Sequence, residues 1–578
     1  MAELDSYPKL SDQRSIRVIK LHGASNPDDL ICFDLITVSL NAPPAYEALS
    51  YTWGGQPLDQ LVYANGREYH VTGNTRAAMR RLRPNKLGAF RYLWIDAICI
   101  NQRDTTEKSS QVQMMDDIFA NAERVNIWLG EGNNLSAFIM MWIRFLSLPI
   151  SPFNFRERIQ AGVAYMASRE YWQRIWTIQE ARANSQCFAL CGSSMPLDMQ
   201  SFYMGNMLVR FFYTVYDIHK VSPPYYLHDN FSTLSMFALR NPELNIDVLD
   251  SLCLKKSTLE VDKIFAVRAL FPQSLGKMTV DYSQSTSDIF TNAAYLFLGA
   301  EGRVEFFRYA CHGYRNDGFP SWVPAWTTPT NIPKWLGRFG PKTISKKAVF
   351  LQGEDKRVLR LGGIRVDTAT AVISELFPIN PPPSDPKSVF IDLIAAEKAF
   401  TVFRAWIDAS VTTREEGPYP WLIHFTALLA KISDLDEEKL RSWLPRTWYE
   451  SDYGIGQPLP YRWGATKYLK DNHEAREFTR EFLKLTSGRS LFTTKGGRVG
   501  MSTLVIREGD EVALLTGETL PYLIRQCPDQ PGKYTLVAPC WLSGAVDGEP
   551  WPLVSGGDGV HPVRYEVELE NLEYIELV

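Results

Sequence analysis

The stretch Leu93-Trp94-Ile95-Asp96-Ala97-Ile98-Cys99-Ile100-Asn101-Gln102 constrains this chain more than any other. It opens as an apolar β-type run and ends in a polar corner, Asn101-Gln102-Arg103-Asp104, just before a helix signal. A buried strand that delivers polar side chains at its carboxyl end is how an open α/β sheet builds a site. The same residues also read as a plain core strand with a capping turn, and spacing alone leaves both readings open.

The flanking segments give that strand a context. Ile16 to Leu21 and Leu30 to Leu40 read as two strands around the turn Ser25-Asn26-Pro27-Asp28-Asp29. Tyr46 to Gly55 is an apolar strand running into Gly54-Gly55, and Leu61 to Val71 reads as a hairpin turning on Asn65-Gly66. Asn74 to Arg83 has helical spacing and is closed by Pro84. Asp104-Thr105-Thr106-Glu107 has capping-box spacing, and Val112, Met115, Ile118, Phe119 and Ala122 mark the buried face of the helix that follows, to about Glu123. Val125 to Gly130 is a strand, helical segments are expected at about Ser136 to Leu148 and Glu157 to Ser168, and Cys187 to Cys191 is a last short strand. Strands alternating with helices in this way predict a doubly wound parallel sheet, an α/β fold.

At 578 residues the chain is too long for one core. A 45% hydrophobic, 22% charged composition with a net charge of -4 is that of a globular protein with no general affinity for nucleic acid or anionic membrane. The polar N-terminus carries no signal-type apolar segment, and the apolar run from Leu135 to Leu148 is short and holds Arg144, so no membrane span is expected. Of the eight cysteines only Cys187 and Cys191 are close in sequence, and no second Cys or His pair accompanies them. That spacing argues against a metal site and for core thiols in a reducing, cytoplasmic setting.

A second informative stretch runs from Ser168 to Glu180. Trp172, Trp176 and Glu180 are spaced four apart, which would place them along one helix face. A carboxylate ending an aromatic row is desolvated, so its pKa rises unless a cation or hydrogen-bond donor holds it ionised. The plainer alternative is a helix in which Glu180 pairs with Arg174, Arg182 or another basic residue.

Beyond these segments the chain changes character. Residues 206–345 read as mainly helical with aromatic loops, and His219, His228 and His312 are isolated. Pro378 to Pro386 is a proline-rich linker, and Ile391 to Ser410 and Trp421 to Leu444 are amphipathic helices. From Ser490 short β runs alternate with turns at Gly496-Gly497, Gly509-Asp510, Pro531-Gly532 and Gly556-Gly557. The runs are Leu491 to Thr494, Val512 to Thr516, Tyr522 to Arg525, Tyr534 to Ala538 and Tyr565 to Leu569, and they predict a small β-barrel-like domain. Asp510, Asp547 and Glu549 read there as turn residues.

Taken together, Tyr46 to Gly54, Leu93 to Gln102 with Glu107, Gln111 and Met114, Ile127 to Gly130, and Trp172 to Glu180 with Cys191-Gly192 resemble the fungal HET (heterokaryon incompatibility) domain over residues 14–205. Later blocks resemble the companion region of such proteins: Asp262 to Ala266, Val280 to Ser283, Pro320 to Trp326, Gly509 to Val512, Pro521 to Arg525 and Gly544 to Glu549. Ser543 stands where many relatives carry a histidine. The resemblance implies a fold similar to the TIR domain, a companion region over 206–375, a helical region over 387–488 and a β-rich domain over 489–578. It also implies a role in nonself recognition and programmed cell death when incompatible fungi fuse. Ser168, Trp176 and Glu180 match the serine, tryptophan and glutamate that TIR domains carry on one helix.

Several TIR domains cleave the nicotinamide–ribose bond of NAD with that glutamate. By the resemblance Glu180 is the candidate catalytic residue, and Ser50, Tyr51, Thr52, Trp53, Gly54, Asp96, Asn101, Gln102, Arg103 and Trp176 are candidates for holding the nucleotide. A carboxylate beside the ribose would stabilise an oxocarbenium-like transition state, Arg103 would meet phosphate and Trp53 would stack on a ring. No glycine-rich dinucleotide fingerprint is present, so NAD would be a consumed substrate and not a resident cofactor. Two other classes stay open: a non-enzymatic module that assembles with itself or a protein partner, and a scaffold recruited for small-molecule chemistry in specialised metabolism.

Overall fold

The computed structural model describes residues 7–53, 55–144, 162, 165–166, 168–202, 246–302, 304–310, 318–327, 347–351, 353–373, 489–503, 506–542 and 572–578. Outside these lie the Pro378 to Pro386 linker, the helices expected over 391–410 and 421–444, the 206–245 segment, most of the segment Glu157 to Ser168, and the run Tyr565 to Leu569. Gly54, Ser543, Asp547, Glu549, His219, His228 and His312 lie outside them as well. The chain divides into two units, Met1–Ala293 with Trp326–Pro329 and Ala294–Ala325 with Thr330–Val578.

The first unit is built on a nine-stranded sheet of strands β1 (Ser15–His22), β2 (Cys32–Ser39), β3 (Glu47–Ser50), β4 (Gln60–Ala64), β5 (Arg67–Val71), β6 (Phe90–Trp94), β7 (Arg124–Trp128), β8 (Cys187–Leu190) and β9 (Leu197–Asp198). Their order is β5-β4-β2-β1-β6-β3-β7-β8-β9. The sheet is mixed, where the alternation of elements predicted a parallel one. Only β6-β3-β7-β8 form a parallel centre, joined on the outside by β2 to β4. The strands at the β1 edge come in as a local hairpin: β1 runs antiparallel to β2 from Ser15 opposite Ser39 to Leu21 opposite Phe33, and then antiparallel to β6. Within the centre the chain visits the second strand, then the first, third and fourth positions of a doubly wound sheet, which puts the topological switch between β3 and β7.

Local chemistry explains the connections. In the β4–β5 hairpin Asn65 and Gly66 both take positive φ, 52° and 77°, as a two-residue type I′ turn demands. Helix α1 (Gly73–Leu82) is capped by Thr72, whose side chain accepts from the Thr75 amide, and it buries Ala78, Met79 and Leu82. The apolar run at Leu93 departs from expectation. β6 stops at Trp94, and Asp96 opens a one-turn helix, α2 (Asp96–Cys99), with its carboxylate accepting from the Ala97 amide. The β6 strand is paired to β1 and β3 only as far as Leu93 and Trp94, so the chain beyond them is free to coil.

Helix α3 (Thr105–Gln113) starts as expected, with Asp104 accepting from the Glu107 amide. The helix breaks at Met114 (φ -98°, ψ 1°) and resumes as α4 (Met115–Asn121). Val112, Met115, Ile118 and Phe119 are buried, and Phe119 meets Trp94 edge-on at 5.3 Å. Each such side chain removed from water contributes about 1.5–3 kcal/mol. The Glu107 carboxylate accepts from both terminal nitrogens of Arg17, at 2.6 and 2.9 Å, and from the Asn101 amide at 2.7 Å. Arg17 also reaches the Cys99 carbonyl at 3.1 Å.

The row Trp172–Trp176–Glu180 does not lie on one helix. A 3-10 turn covers Glu170–Gln173, Arg174 is extended (φ -81°, ψ 140°), and the helix α6 begins only at Trp176 and runs to Arg182; α5 (Asn134–Arg144) precedes it. Ser168 therefore sits in a turn ahead of the break, bonded to the Tyr165 carbonyl, and not on the helix of Trp176 and Glu180. A tertiary contact imposes the break. The Lys256 amide donates to the Gln173 carbonyl at 2.5 Å, the Ile175 amide donates to the Lys256 carbonyl at 3.0 Å, and Lys255 Nζ donates to the Trp172 carbonyl. Lys255 and Lys256 follow α7 (Ile246–Leu254), so residues past the expected domain end at 205 pack within this first unit.

The second unit holds a closed six-stranded barrel. Its strands are β11 (Leu359–Ile373), β12 (Arg489–Thr494), β13 (Val499–Thr503), β14 (Glu511–Leu515), β15 (Pro521–Gln526) and β16 (Lys533–Leu542). They run β11-β12-β13-β16-β15-β14, and β14 pairs back onto β11. β10 (Phe350–Leu351) and β17 (Glu573–Leu577) add to β11. Shifts of register at Arg365/Asp367, Ala369/Ala371 and Leu523/Ile524 bend the strands enough to close it. Gly500 is required where β13 crosses the Phe492 ring, because a Cβ there would overlap it. The barrel takes its longest strand from residues 359–373, well before the β-rich segment read from the sequence.

Candidate functional site

The carboxyl ends of β3 and β6 meet at the edge of a cleft of about 350 Å³. On one side stand Thr52 and Trp53 from the loop after β3, Asp96 from α2, and Gln102 from the loop before α3. Arg174 and Trp176 come from the segment that breaks before α6. Lys108, Val112 and Met115 of α3 and α4 add to the wall, and residues 256–259, Asp262 and Tyr282 close the opposite side.

The loop after β3 is held from below. Asn74, at the start of α1, donates from Nδ2 to the Thr52 carbonyl at 2.7 Å, and Trp128 at the end of β7 donates to Asn74 Oδ1 at 2.8 Å. Trp53 Nε1 then reaches both Asp96 oxygens, at 3.1 and 3.0 Å. Arg174 lies near the Trp53 ring, 5.9 Å from its centroid, and donates to the Tyr51 carbonyl at 2.5 Å. Burial raises the Asp96 pKa, while the Arg174 charge and the hydrogen bond from Trp53 oppose that rise.

Glu180 is on α6, behind this wall and not in it. It is 3% exposed, and Ser50 Oγ at the end of β3 donates to its Oε2 at 2.5 Å. Ser50 Oγ also lies 2.7 Å from the Tyr171 hydroxyl, and since the serine proton goes to Glu180, Tyr171 donates to Ser50. Burial pushes the Glu180 carboxyl up to about 7; the Arg174 guanidinium and the Ser50 hydrogen bond pull it down and Asp96 pushes it further up. Arg174 thus faces two carboxylates, one lining the cleft and one behind it.

The structure therefore brings Thr52, Trp53, Asp96, Gln102 and Trp176 together at one cleft. Ser50, Tyr51 and Glu180 form the buried layer beneath, with Tyr51 2% exposed and its hydroxyl accepting from Thr75 Oγ1 at 3.3 Å. Asn101 and Arg103 are not among the cleft residues. Asn101 uses its amide on Glu107 and its Oδ1 on the Arg103 amide, and Arg103 is exposed, so the polar corner closes the loop into α3.

Sequence reading passed over the opposite side of the cleft. Tyr282 donates to Asp262 Oδ1 at 2.8 Å, and the Trp176 indole also bonds the Asp262 carboxylate. Burial raises the Asp262 pKa against both hydrogen bonds and the Lys108 charge. Lys108 stands over the Tyr282 ring at 4.3 Å. Asp262 and Tyr282 belong to blocks that the sequence marked as a companion region, yet no spacing rule connects them with Trp176. Among the described residues no three His, Cys, Asp or Glu side chains cluster as a metal site would require, and no helix is long and apolar enough to cross a membrane.

Comparison with known proteins agrees with this division. Residues 46–180 match the family described as heterokaryon incompatibility protein (HET), and residues 466–551 match the Het-6 beta-barrel domain. The chain is similar to heterokaryon incompatibility protein 6, OR allele, of Neurospora crassa, at 24% identity over 94% of this chain and 95% of that protein. No solved structure matches significantly. The chain therefore carries a heterokaryon incompatibility (HET) domain and a Het-6 beta-barrel domain.

Proposed function

We propose that this protein acts in nonself recognition and cell-death signalling through its HET domain, and that the cleft at the ends of β3 and β6 binds NAD or a related nucleotide and hydrolyses its nicotinamide–ribose bond. The observation that carries this reading is the place and lining of the cleft. It opens beside the switch point of a doubly wound parallel centre, where such sheets bind ligands, and its wall offers two indoles and an arginine. The order of the four parallel strands supports a TIR-like domain.

The chemistry asks little of the protein. The C1′–N bond breaks with its electron pair going to the nicotinamide nitrogen, which loses its positive charge and leaves neutral. Water adds to C1′ and releases a proton, giving ADP-ribose. A carboxylate near the ribose stabilises the oxocarbenium-like transition state. Glu180, whose carboxyl is pushed up to about 7 by burial, takes that role in its ionised form once the segment around Arg174 moves aside. Purified full-length protein given NAD is expected to release nicotinamide, and Glu180→Gln to abolish release. A wild-type protein that turns over no NAD in any assembled state rules out the hydrolase.

One observation favours a second reading. Glu180 is shut from solvent and hydrogen-bonded to Ser50, as a structural carboxylate would be. The HET domain would then be a non-enzymatic signalling module assembling with itself or a protein partner. Toxicity on expression in a fungal host that survives Glu180→Ala supports this module; toxicity lost with that variant, in a protein that still folds, supports the hydrolase.

A further inference from the structure

Resting on the nucleotide-binding reading above, we propose that Lys108 and Lys256 form a phosphate-selective end of the cleft, so that the site prefers a ligand carrying a diphosphate and draws part of its specificity from outside the segment that matches the HET family. Lys108 comes from α3 within that segment, whereas Lys256 follows α7, well beyond residue 180. Both line the same cleft as Trp53 and Trp176.

Three cations, Lys108, Arg174 and Lys256, and three acids, Asp96, Glu170 and Asp262, share this wall. The charges do not simply cancel. Asp262 already accepts from Tyr282 and Trp176, and Asp96 from Trp53 and the Ala97 amide. Burial raises the pKa of both carboxyls, against the hydrogen bonds they accept and the cations beside them. Glu170 is exposed at the rim. Lys256 is exposed, Lys108 rests on the face of Tyr282, and among the described residues neither enters an ion pair. An anion between them gains charge-assisted hydrogen bonds from two chain segments. The Trp53 and Trp176 indoles of the same cleft suit a planar ring.

The position of Lys256 is also built into the fold. Its backbone amide and carbonyl pair with Gln173 and Ile175, on either side of Arg174. A ligand held by Lys256 is thereby held against the segment that covers Glu180.

Isothermal titration of the full-length Glu180→Gln protein, expected to hold NAD without turning it over, tests this with two probes: NAD, and nicotinamide riboside, which keeps the ring and ribose but lacks the diphosphate and the adenosine. Pyrophosphate competition and the lysine variants then assign the difference to the phosphates. The expected result is that NAD binds at least about tenfold tighter, a difference that two charge-assisted contacts readily supply. Inorganic pyrophosphate competes with NAD, and Lys108→Gln with Lys256→Gln removes the preference. The Lys108→Arg, Lys256→Arg protein keeps it, which separates lost charge from lost folding. Equal binding of the two probes, or a preference that survives the double glutamine change, overturns the phosphate-selective end and leaves nucleotide binding standing. Binding of neither probe overturns the nucleotide reading itself and this proposal with it.

Discussion

Ser50 Oγ donates to Glu180 Oε2 across 2.5 Å, joining the end of the central strand β3 to α6 in a layer almost closed to solvent. Desolvation holds the Glu180 carboxyl at about 7, above its ordinary value of 4.5. The folded protein therefore binds this proton more tightly than the unfolded chain does. The stability so gained is fully present below about pH 4.5 and is lost as the pH rises through about 7. Glu180→Gln is expected to remove that slope, on the order of 3 kcal/mol. Urea unfolding at a series of pH values measures it, and an unchanged slope in the variant would assign it to another group.

Ser50→Ala takes away the donor that opposes the rise, so the midpoint of the same slope should move to higher pH. The Tyr171 hydroxyl loses its acceptor in the same step, adding a cost of about 1–3 kcal/mol. The shifted midpoint in the unfolding series distinguishes this variant from one that merely loosens packing.

Arg17 is 2% exposed and grips Glu107 with two nitrogens, and Glu107 in turn holds the Asn101 amide. Arg17→Met should cost about 3–5 kcal/mol, because it leaves a carboxylate without its charge partner. Arg17→Met combined with Glu107→Gln should cost less than the sum of the two single changes. Chemical denaturation of the three variants gives the coupling, and additive losses would show that the pair does not act as a unit.

In the barrel unit, Arg308 and Glu518 pair at 3.0 Å, both almost fully buried, and Glu518 also accepts from Tyr522 and from the Thr519 amide. Arg308→Met alone should lower stability by about 3–5 kcal/mol, and Arg308→Met with Glu518→Gln by distinctly less. Thermal unfolding followed by circular dichroism reads both; equal losses would mean that the charge of Glu518 is screened without Arg308.

Much of this architecture was legible in local sequence because the interactions that fix it are local. Asp104 caps α3 three residues before Glu107, and Asn65-Gly66 supplies the two positive φ values that its hairpin needs. Strands β1 to β8 follow the apolar runs, and four of the barrel strands fall on the β runs read from the sequence. The HET resemblance, carried by separated blocks in order, marked the segment around the cleft before any contact was known.

Local pattern could not show where regular structure gives way to longer-range contacts. Spacing alone placed Trp172, Trp176 and Glu180 on one helix, but Lys256 pairs with the backbone around Arg174 and forces that residue out of the helix. Leu93 to Gln102 looked like one strand, but pairing with β1 and β3 ends by Trp94 and Asp96 turns into a helix. The cleft itself depends on such contacts. Trp176 and Asp262 meet from positions far apart in the chain, and Glu180 lies behind Arg174. By itself the sequence determined the α/β alternation, four of the six barrel strands and the identity of the polar groups, since these follow from propensity, capping and periodicity. Tertiary structure alone decided which of those groups face the cleft and which are sealed beneath it, because burial and charge neighbours arise only when distant segments pack together.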